Sequence, residues 1–396
     1  MPASIKQEFL TPQKPYLFSE LAPVIANFKQ QNPGVQLVRL DVGDVPGPLA
    51  PTVHTALKAA CEDMGREKTF FGYAPDTGYS FLKKAVQKYY TGYGVYLDLR
   101  EIFINDGVQS DLARLAGMFD TCPALIANPA YPAYQDNCLF NGREIFYMDA
   151  TENNHFLPMP EQTDFLGGLI YLCSPGNPIG AAYSYGQLQK WVQFAIASNS
   201  VILYDAAYEI YAGEQRPHSI FEIDGAKHCA IELGTLSKSA SFTGLRCGWC
   251  IVPSELCINQ ASFQQIWRRF TASAYNGTAY PIQKAAAAAL SFTGRAECIK
   301  EAKTTLQNTQ IIAAALQQQG LTVYCFGTSP YLWVKCPNNM NSAKYFNYLL
   351  HQNGIACTPG NGFGRAGEGY VRISCFGKKD KIESAVNRIL SCNMLG

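Results

Sequence analysis

From about residue 80 onward the chain alternates between two hydrophobic patterns. Short, nearly continuous apolar runs recur in "EIFIND" (101–106), "CPALIANP" (122–129), "GLIYLC" (168–173), "SVILYD" (200–205) and "CAIELGT" (229–235). Each run breaks off into polar residues, glycine or proline. Between them lie stretches with apolar positions three and four apart: "SFLKKAVQKYY" (80–90), "SDLARLAGMF" (110–119) and "SYGQLQKWVQFAIAS" (184–198), with a turn and helix in "AYPAYQDNCLF" (130–140). Continuous apolar runs suit strands buried on both faces, and the wider spacing suits amphipathic helices. Their alternation predicts an α/β fold around a mostly parallel sheet. "GWCIVPSEL" (248–256) predicts an antiparallel strand that closes the sheet.

The flanks read differently. The first 35 residues are rich in Pro, Gln and Asn and predict an arm with a short helix starting near Ser19. A short strand, a Gly/Pro loop and a helix follow over 35–61. After residue 290, a long helix (298–320) leads to strands at 322–326, 331–336 and 368–376 with a helix among them. That tail predicts a smaller α+β domain.

Composition narrows the class. Of 396 residues, 47% are apolar and 16% charged, which fits a globular chain and not a disordered one. A formal net charge of +1 leaves no basic surplus for nucleic acid or an anionic membrane. The first residues lack the apolar core of a secretory signal, and "AAAAAL" (285–290) is far too short to cross a bilayer. A soluble, cytoplasmic protein is expected. Fourteen scattered cysteines read as reduced, mostly buried thiols. The five histidines, at 54, 155, 218, 228 and 351, form neither H-E-x-x-H nor a zinc pairing with cysteine, so no metal site is expected.

In an open α/β sheet, ligands bind beyond the carboxyl ends of the strands. The residues there are "DGVQSD" (106–111), "NPAYPAY" (128–134), "CSPGNPIG" (173–180), "YDAAYE" (204–209) and "TLSKSASFTGLR" (235–246). Asp205 ends an apolar strand, where a charge needs a partner, and one reading is an ion pair with a cationic ring nitrogen. Tyr208, three residues on, can meet the same ligand, and the Asn177 amide can donate to a phenolic oxygen. Lys238 stands between Ser237 and Ser239, where a desolvated lysine can act as nucleophile and base. Thr235, Ser237 and Arg246 suit a phosphate, as does the helix start at Val108 and Gln109. Tyr131 offers a ring for stacking. Together these call for a ring with a cationic nitrogen, a phenolic oxygen, an aldehyde and a phosphate: pyridoxal phosphate. Taken singly, each residue has a plainer reading. Lys238 would be a surface lysine, Asp205 a helix cap and the tyrosines core aromatics.

Two motifs point elsewhere and fail on context. "GFGRAG" (362–367) matches G-x-G-x-x-G, but its strand follows instead of preceding it. Its glycines suit a tight turn beside a ligand. Cys247 and Cys250 match C-x-x-C, but fall in a strand, where residues three apart face opposite ways.

In this order, "SPGNPIG", "YDAAYE" and "SKSASFTGLRCGW" resemble the fold type I, class I/II aminotransferases. With "YLFSEL", "GYAPDTG", "SIFEIDGA", "YNGTA" and "TPGNGFGRAGEGYVRIS", the chain is similar more narrowly to the LL-diaminopimelate aminotransferases, over nearly its whole length. The resemblance implies a large domain (53–287) with a mostly parallel seven-stranded sheet. It also implies an N-terminal arm joined to part of the small domain (1–52) and a small C-terminal domain (288–396). It implies interconversion of LL-diaminopimelate and 2-oxoglutarate with tetrahydrodipicolinate and glutamate. A same-fold aminotransferase of different or broader donor range is the alternative.

The resemblance also assigns roles. Lys238 forms the Schiff base and shuttles the proton; Asp205 holds the pyridine nitrogen protonated; Tyr131 stacks on the ring. Asn177 and Tyr208 bind the ring oxygen. Val108, Gln109, Ser237 and Arg246 bind phosphate, with Tyr73 reaching in from the second subunit of a homodimer. Arg372 clamps the substrate carboxylate, and Tyr16, Gly43, Asp76 and Asn276 line the substrate pocket. Two departures bear on selectivity: Gln109 stands where the family has lysine, and Asp76 where it has glutamate.

Overall fold

The apolar runs do become one sheet in the computed structural model, which describes residues 3–10, 16–45 and 47–395. Its seven strands are β1 (Ile102–Asn105), β2 (Ala124–Asn128), β3 (Ile145–Asp149), β4 (Gly168–Cys173), β5 (Ser200–Asp205), β6 (Ala230–Thr235) and β7 (Gly248–Ile251). They lie in the order β1-β7-β6-β5-β4-β2-β3. Every pairing is parallel except the two made by β7.

The continuous apolar character of these strands has a direct cause: both faces are covered. Along β4, Ile170 and Leu172 enter one core while Leu169 and Tyr171 enter the other. The first core is shared with helices Ser80–Thr91, Tyr185–Ala197 and Tyr280–Ala289. The second is shared with Val108–Met118, Pro132–Leu139 and Phe263–Ala274. Period-two alternation thus divides one apolar run between two helical layers.

Two features depart from the sequence expectation. β7 is antiparallel, but it does not close the sheet. It runs between β1 and β6, and the edges are β1 and β3. β3 itself is not announced by the hydrophobic pattern, because "IFYMD" is an edge strand with only Met148 fully buried. The N-terminal helix is also longer than expected, spanning Leu17–Gln31 and burying Leu17, Leu21, Ile25 and Phe28.

A separate core gathers that helix with the end of the chain. Its sheet has strands β8 (Val323–Tyr324), β9 (Tyr331–Lys335), β10 (Thr358–Pro359) and β11 (Tyr370–Ser374), in the antiparallel order β8-β9-β11-β10. Val38–Arg39 pairs in parallel with Ile355–Ala356, which ties the segment after the N-terminal helix to this part of the chain. The long helix Phe292–Gln318 joins the two cores.

The C-x-x-C cysteines divide as the strand geometry requires. Cys247 packs in one core and Cys250 in the other, on opposite faces of the sheet. Both thiols are buried, and burial pushes Cys247 up to about 12 and Cys250 well above its ordinary value. Neither sulfur is a thiolate near neutral pH.

Candidate active site

Because β1, β2, β4, β5 and β6 run the same way, their carboxyl ends share one edge of the sheet. The antiparallel β7 begins at that edge, so Arg246, two residues before it, arrives there too. A cavity of about 520 Å³ opens above this edge, lined by Val108, Gln109, Tyr131, Asn177, Asp205, Tyr208, Ser237, Lys238, Arg246 and Arg372. Ten of the residues singled out from the sequence therefore meet in one place. Gly43 lines it as well, and Tyr16 borders it by donating a hydrogen bond of 3.2 Å to the Tyr131 hydroxyl.

The phosphate-type groups cluster at one end. Gly107 precedes the helix Val108–Met118 with φ of 121°, a conformation that favours glycine. A Cβ there would come within 2.5 Å of the Arg246 guanidinium. The bare backbone lets Arg246 lie against the helix start. Arg246 Nη1 also donates to Ser237 Oγ at 3.2 Å, and Thr235 Oγ1 donates to the same oxygen at 3.0 Å. Arg246 itself has φ of 59°, an uncommon backbone for a side chain of this size.

At the other end, Asp205 is buried on the last position of β5. Its carboxylate accepts from the Tyr134 hydroxyl at 2.7 Å and from the Ala207 N–H at 3.0 Å. Burial raises its pKa, opposed by these two donors and by the more distant Lys238. Arg372 is 1% exposed. Its Nη1 donates to Asn177 Oδ1 at 2.7 Å and its Nη2 to the Asp41 carbonyl at 2.7 Å. The rings of Tyr331, Phe363 and Phe18 surround the guanidinium, at 4.3, 4.9 and 5.5 Å from its carbon. Among the described residues its Nε has no hydrogen-bond partner. Among the described residues, neither Asp205 nor Arg372 makes a salt bridge.

Lys238 follows β6 and donates from Nζ to the Gly43 carbonyl. Its own carbonyl accepts from the Tyr211 hydroxyl at 3.0 Å. Tyr131 donates to Gln109 Oε1 at 3.3 Å, and burial raises its hydroxyl pKa.

Three predicted residues lie outside this cavity. Tyr73 is 88% exposed and Asn276 is exposed. Asp76 is half-buried in the same loop as Tyr73, and that loop packs against Gly277. The fold brings these three together outside the cavity that Lys238 of their own chain lines.

Several lining residues were not named from the sequence, Tyr134 and Tyr331 among them. Tyr134 stands in the quoted "YPAY", and its spacing of three from Tyr131 on a helix start was the available signal. Tyr331 opens an apolar run that reads as plain core, and no sequence signal marks it. The glycine-rich "GFGRAG" turns against the chain itself: the Phe363 carbonyl accepts from Ala130 at 2.9 Å, and Asn128 Oδ1 accepts from the Ala366 N–H at 3.3 Å. It packs against the loop that carries Tyr131.

Comparison with known proteins follows this geometry. The family model for aminotransferase class I and II matches residues 35–389. A protein of Agathobacter rectalis named LL-diaminopimelate aminotransferase is 40% identical over 94% of this chain and 96% of its own length. One of Parabacteroides distasonis with the same name is 38% identical over 98% of each. The solved L,L-diaminopimelate aminotransferase from Chlamydomonas reinhardtii superposes with a TM-score of 0.92 at 32% identity, covering 99% of both chains. With its lysine, aspartate and arginine gathered at the strand ends, the chain belongs to the aminotransferase class I and II family.

Proposed function

We propose that this chain is a pyridoxal-phosphate-dependent transaminase. It interconverts LL-diaminopimelate and 2-oxoglutarate with tetrahydrodipicolinate and glutamate. The observation that carries the reading is a pair of uncompensated charges in one cavity. Asp205 is a buried carboxylate with only neutral donors, and Arg372 is a buried guanidinium with only neutral acceptors. Buried charges are costly unless paired. A ligand set with a cationic ring nitrogen and a carboxylate satisfies both. The Gly107–Arg246–Ser237 cradle adds donors for a phosphate.

Pyridoxal phosphate, when bound, supplies an electron sink for the charge left on the amino donor's Cα. The chain does the rest. Asp205 would hold the ring nitrogen's proton, with Tyr134 orienting the Asp205 carboxylate. Asn177 and Tyr208 would bind the ring oxygen, Tyr131 would cover the ring, and Val108, Gln109, Ser237 and Arg246 would hold the phosphate. Lys238 Nζ would hold the aldehyde end of the group and would take or return the proton at the donor's Cα. Arg372 orients the donor's carboxylate, with Tyr16 and Gly43 beside it. The division into 1–52, 53–287 and 288–396 accompanies this reading, since each portion contributes residues to the cavity.

Tyr73, Asp76 and Asn276 fit the same reading as groups that a homodimer's second subunit lends to the cavity. Among the described residues no helix is long and apolar enough to cross a membrane, and we place the enzyme in the cytoplasm.

The test is a panel of amino donors, coupled to glutamate formation from 2-oxoglutarate. LL-diaminopimelate is expected to lead, and Lys238→Ala to be colourless and inactive. If aspartate, tyrosine or lysine serves as well as LL-diaminopimelate, the narrow assignment is wrong.

A further inference from the structure

Tyr331 is buried, opens β9 and touches three parts of the cavity at once. In the sheet, Tyr331 pairs with Ser374 and Trp333 with Arg372. Tyr331 and Arg372 are therefore diagonal neighbours on one face, a separation that long side chains bridge. The Arg372 guanidinium carbon lies 4.3 Å from the centre of the Tyr331 ring. The Tyr331 hydroxyl is 2.9 Å from the Tyr208 hydroxyl. A Cβ on Gly43 would come within 2.1 Å of the same oxygen, so the Gly43 backbone rests against it. The Gly43 carbonyl, in turn, accepts from Lys238.

We propose that Tyr331 is a positioning residue that acts through Tyr208 and Arg372. It donates its proton to the Tyr208 oxygen, leaving Tyr208's own proton for the ring oxygen of the cofactor, and its ring braces Arg372. The assignment rests on the cofactor reading above. Geometry lets either hydroxyl donate, and the cation against one ring sets the direction. A hydroxyl has one proton, so a contact between two hydroxyls uses one and leaves one. Among the described residues, no other group hydrogen-bonds either hydroxyl oxygen. A guanidinium over the Tyr331 face draws on the ring's electron density, which makes its O–H the better donor. The proton left over belongs to Tyr208, and it faces the cavity that both side chains line.

The test is a spectrophotometric titration of the cofactor-loaded protein for wild type, Tyr331→Phe, Tyr208→Phe and the double variant. A hydrogen bond donated to the ring oxygen favours the deprotonated chromophore, so weakening it raises the midpoint. Tyr331→Phe is expected to raise the midpoint by about 0.3–1 pH unit, a two- to tenfold change in proton affinity. Tyr208→Phe is expected to raise it at least as far, and the double variant no further than Tyr208→Phe. An unchanged midpoint in Tyr331→Phe, or a double variant showing the sum of both shifts, overturns the assignment.

Tyr331→Leu, which removes the ring as well, is expected to raise KM for the amino donor about fivefold over Tyr331→Phe. Equal KM values in the two variants overturn the bracing role. Should Tyr331→Leu not fold, Tyr331→Phe, which keeps the ring, carries the test by itself. A wild-type chain that takes up no coloured cofactor overturns the reading beneath the proposal. Colour retained with no shift in Tyr331→Phe overturns the proposal alone.

Discussion

The meeting of Gly107 with Arg246 shows how one missing carbon shapes a site. Any side chain at 107 would have to hold φ at 121° and also displace the guanidinium. Backbone strain of that kind costs about 1–3 kcal/mol. Gly107→Ala is therefore expected to weaken pyridoxal phosphate binding about tenfold or more, with the fold kept. Equilibrium dialysis against the cofactor would show it, and unchanged affinity would mean that the cradle tolerates a Cβ. Residues of this kind were legible because their chemistry is unusual for their place. A lysine between two serines after a strand, or an aspartate ending "VILYD", asks for a ligand. Tyr331 was not legible, because a tyrosine opening an apolar strand is ordinary. Its diagonal placement under Arg372 exists only once β9 and β11 have paired.

At the scale of elements, β6 carries a cost on the way to Lys238. Glu232, in mid-strand, is 1% exposed. It accepts from the Tyr90 hydroxyl at 2.6 Å, the Ser219 hydroxyl at 2.7 Å and the Ile220 N–H at 2.9 Å. Burial nevertheless wins over these donors and pushes its carboxyl up from 4.5 to about 7. Between those values the folded chain holds a proton that the unfolded chain has released. Stability from this group is thus full below about pH 4.5 and is lost as pH rises through about 7, up to about 3 kcal/mol in all. Asp111, pushed up to about 6 by burial, has the same sign over a lower window. Thermal melts from pH 5 to 8 should show the wild-type Tm falling relative to Glu232→Gln, in which Asp111 still titrates and cancels. Parallel curves would remove Glu232 as the cause. Strand existence was largely readable, since fully covered strands print as unbroken apolar runs. β3 was not, because an edge strand lacks that imprint. The place of β7 was not either, because composition does not encode which neighbours a strand chooses.

For the whole molecule, the exposed group of Tyr73, Asp76 and Asn276 bears on assembly. A dimer that shares sites across its two-fold axis can be repaired by mixing two broken chains. Co-expressed Lys238→Ala and Tyr73→Ala chains should form hybrids with one intact site and one doubly damaged site. Half the dimers being hybrids, each with one good site of two, activity should return to about a quarter of wild type. Recovery no greater than the average of the two parent variants would place Tyr73 outside any shared site. The residue types at 73, 76 and 276 were readable from the family resemblance. Their place outside their own chain's cavity was not, since only the folded chain shows which residues line it.

The position of β7 has a further consequence for biosynthesis. Among the described residues β1 has no sheet neighbour but β7, and Ile102 pairs with Ile251. On a ribosome, β1 emerges long before its partner and waits with its ladder unmade. The segment that completes the ladder follows directly after the stretch holding Lys238 and Arg246. Such distant pairings form late, after the cost of closing the long loop has been met. The strand that ends the waiting of β1 thus emerges just after Lys238 and Arg246. A nascent chain stopped short of it would carry an open sheet edge and a cavity still lacking Tyr331 and Arg372.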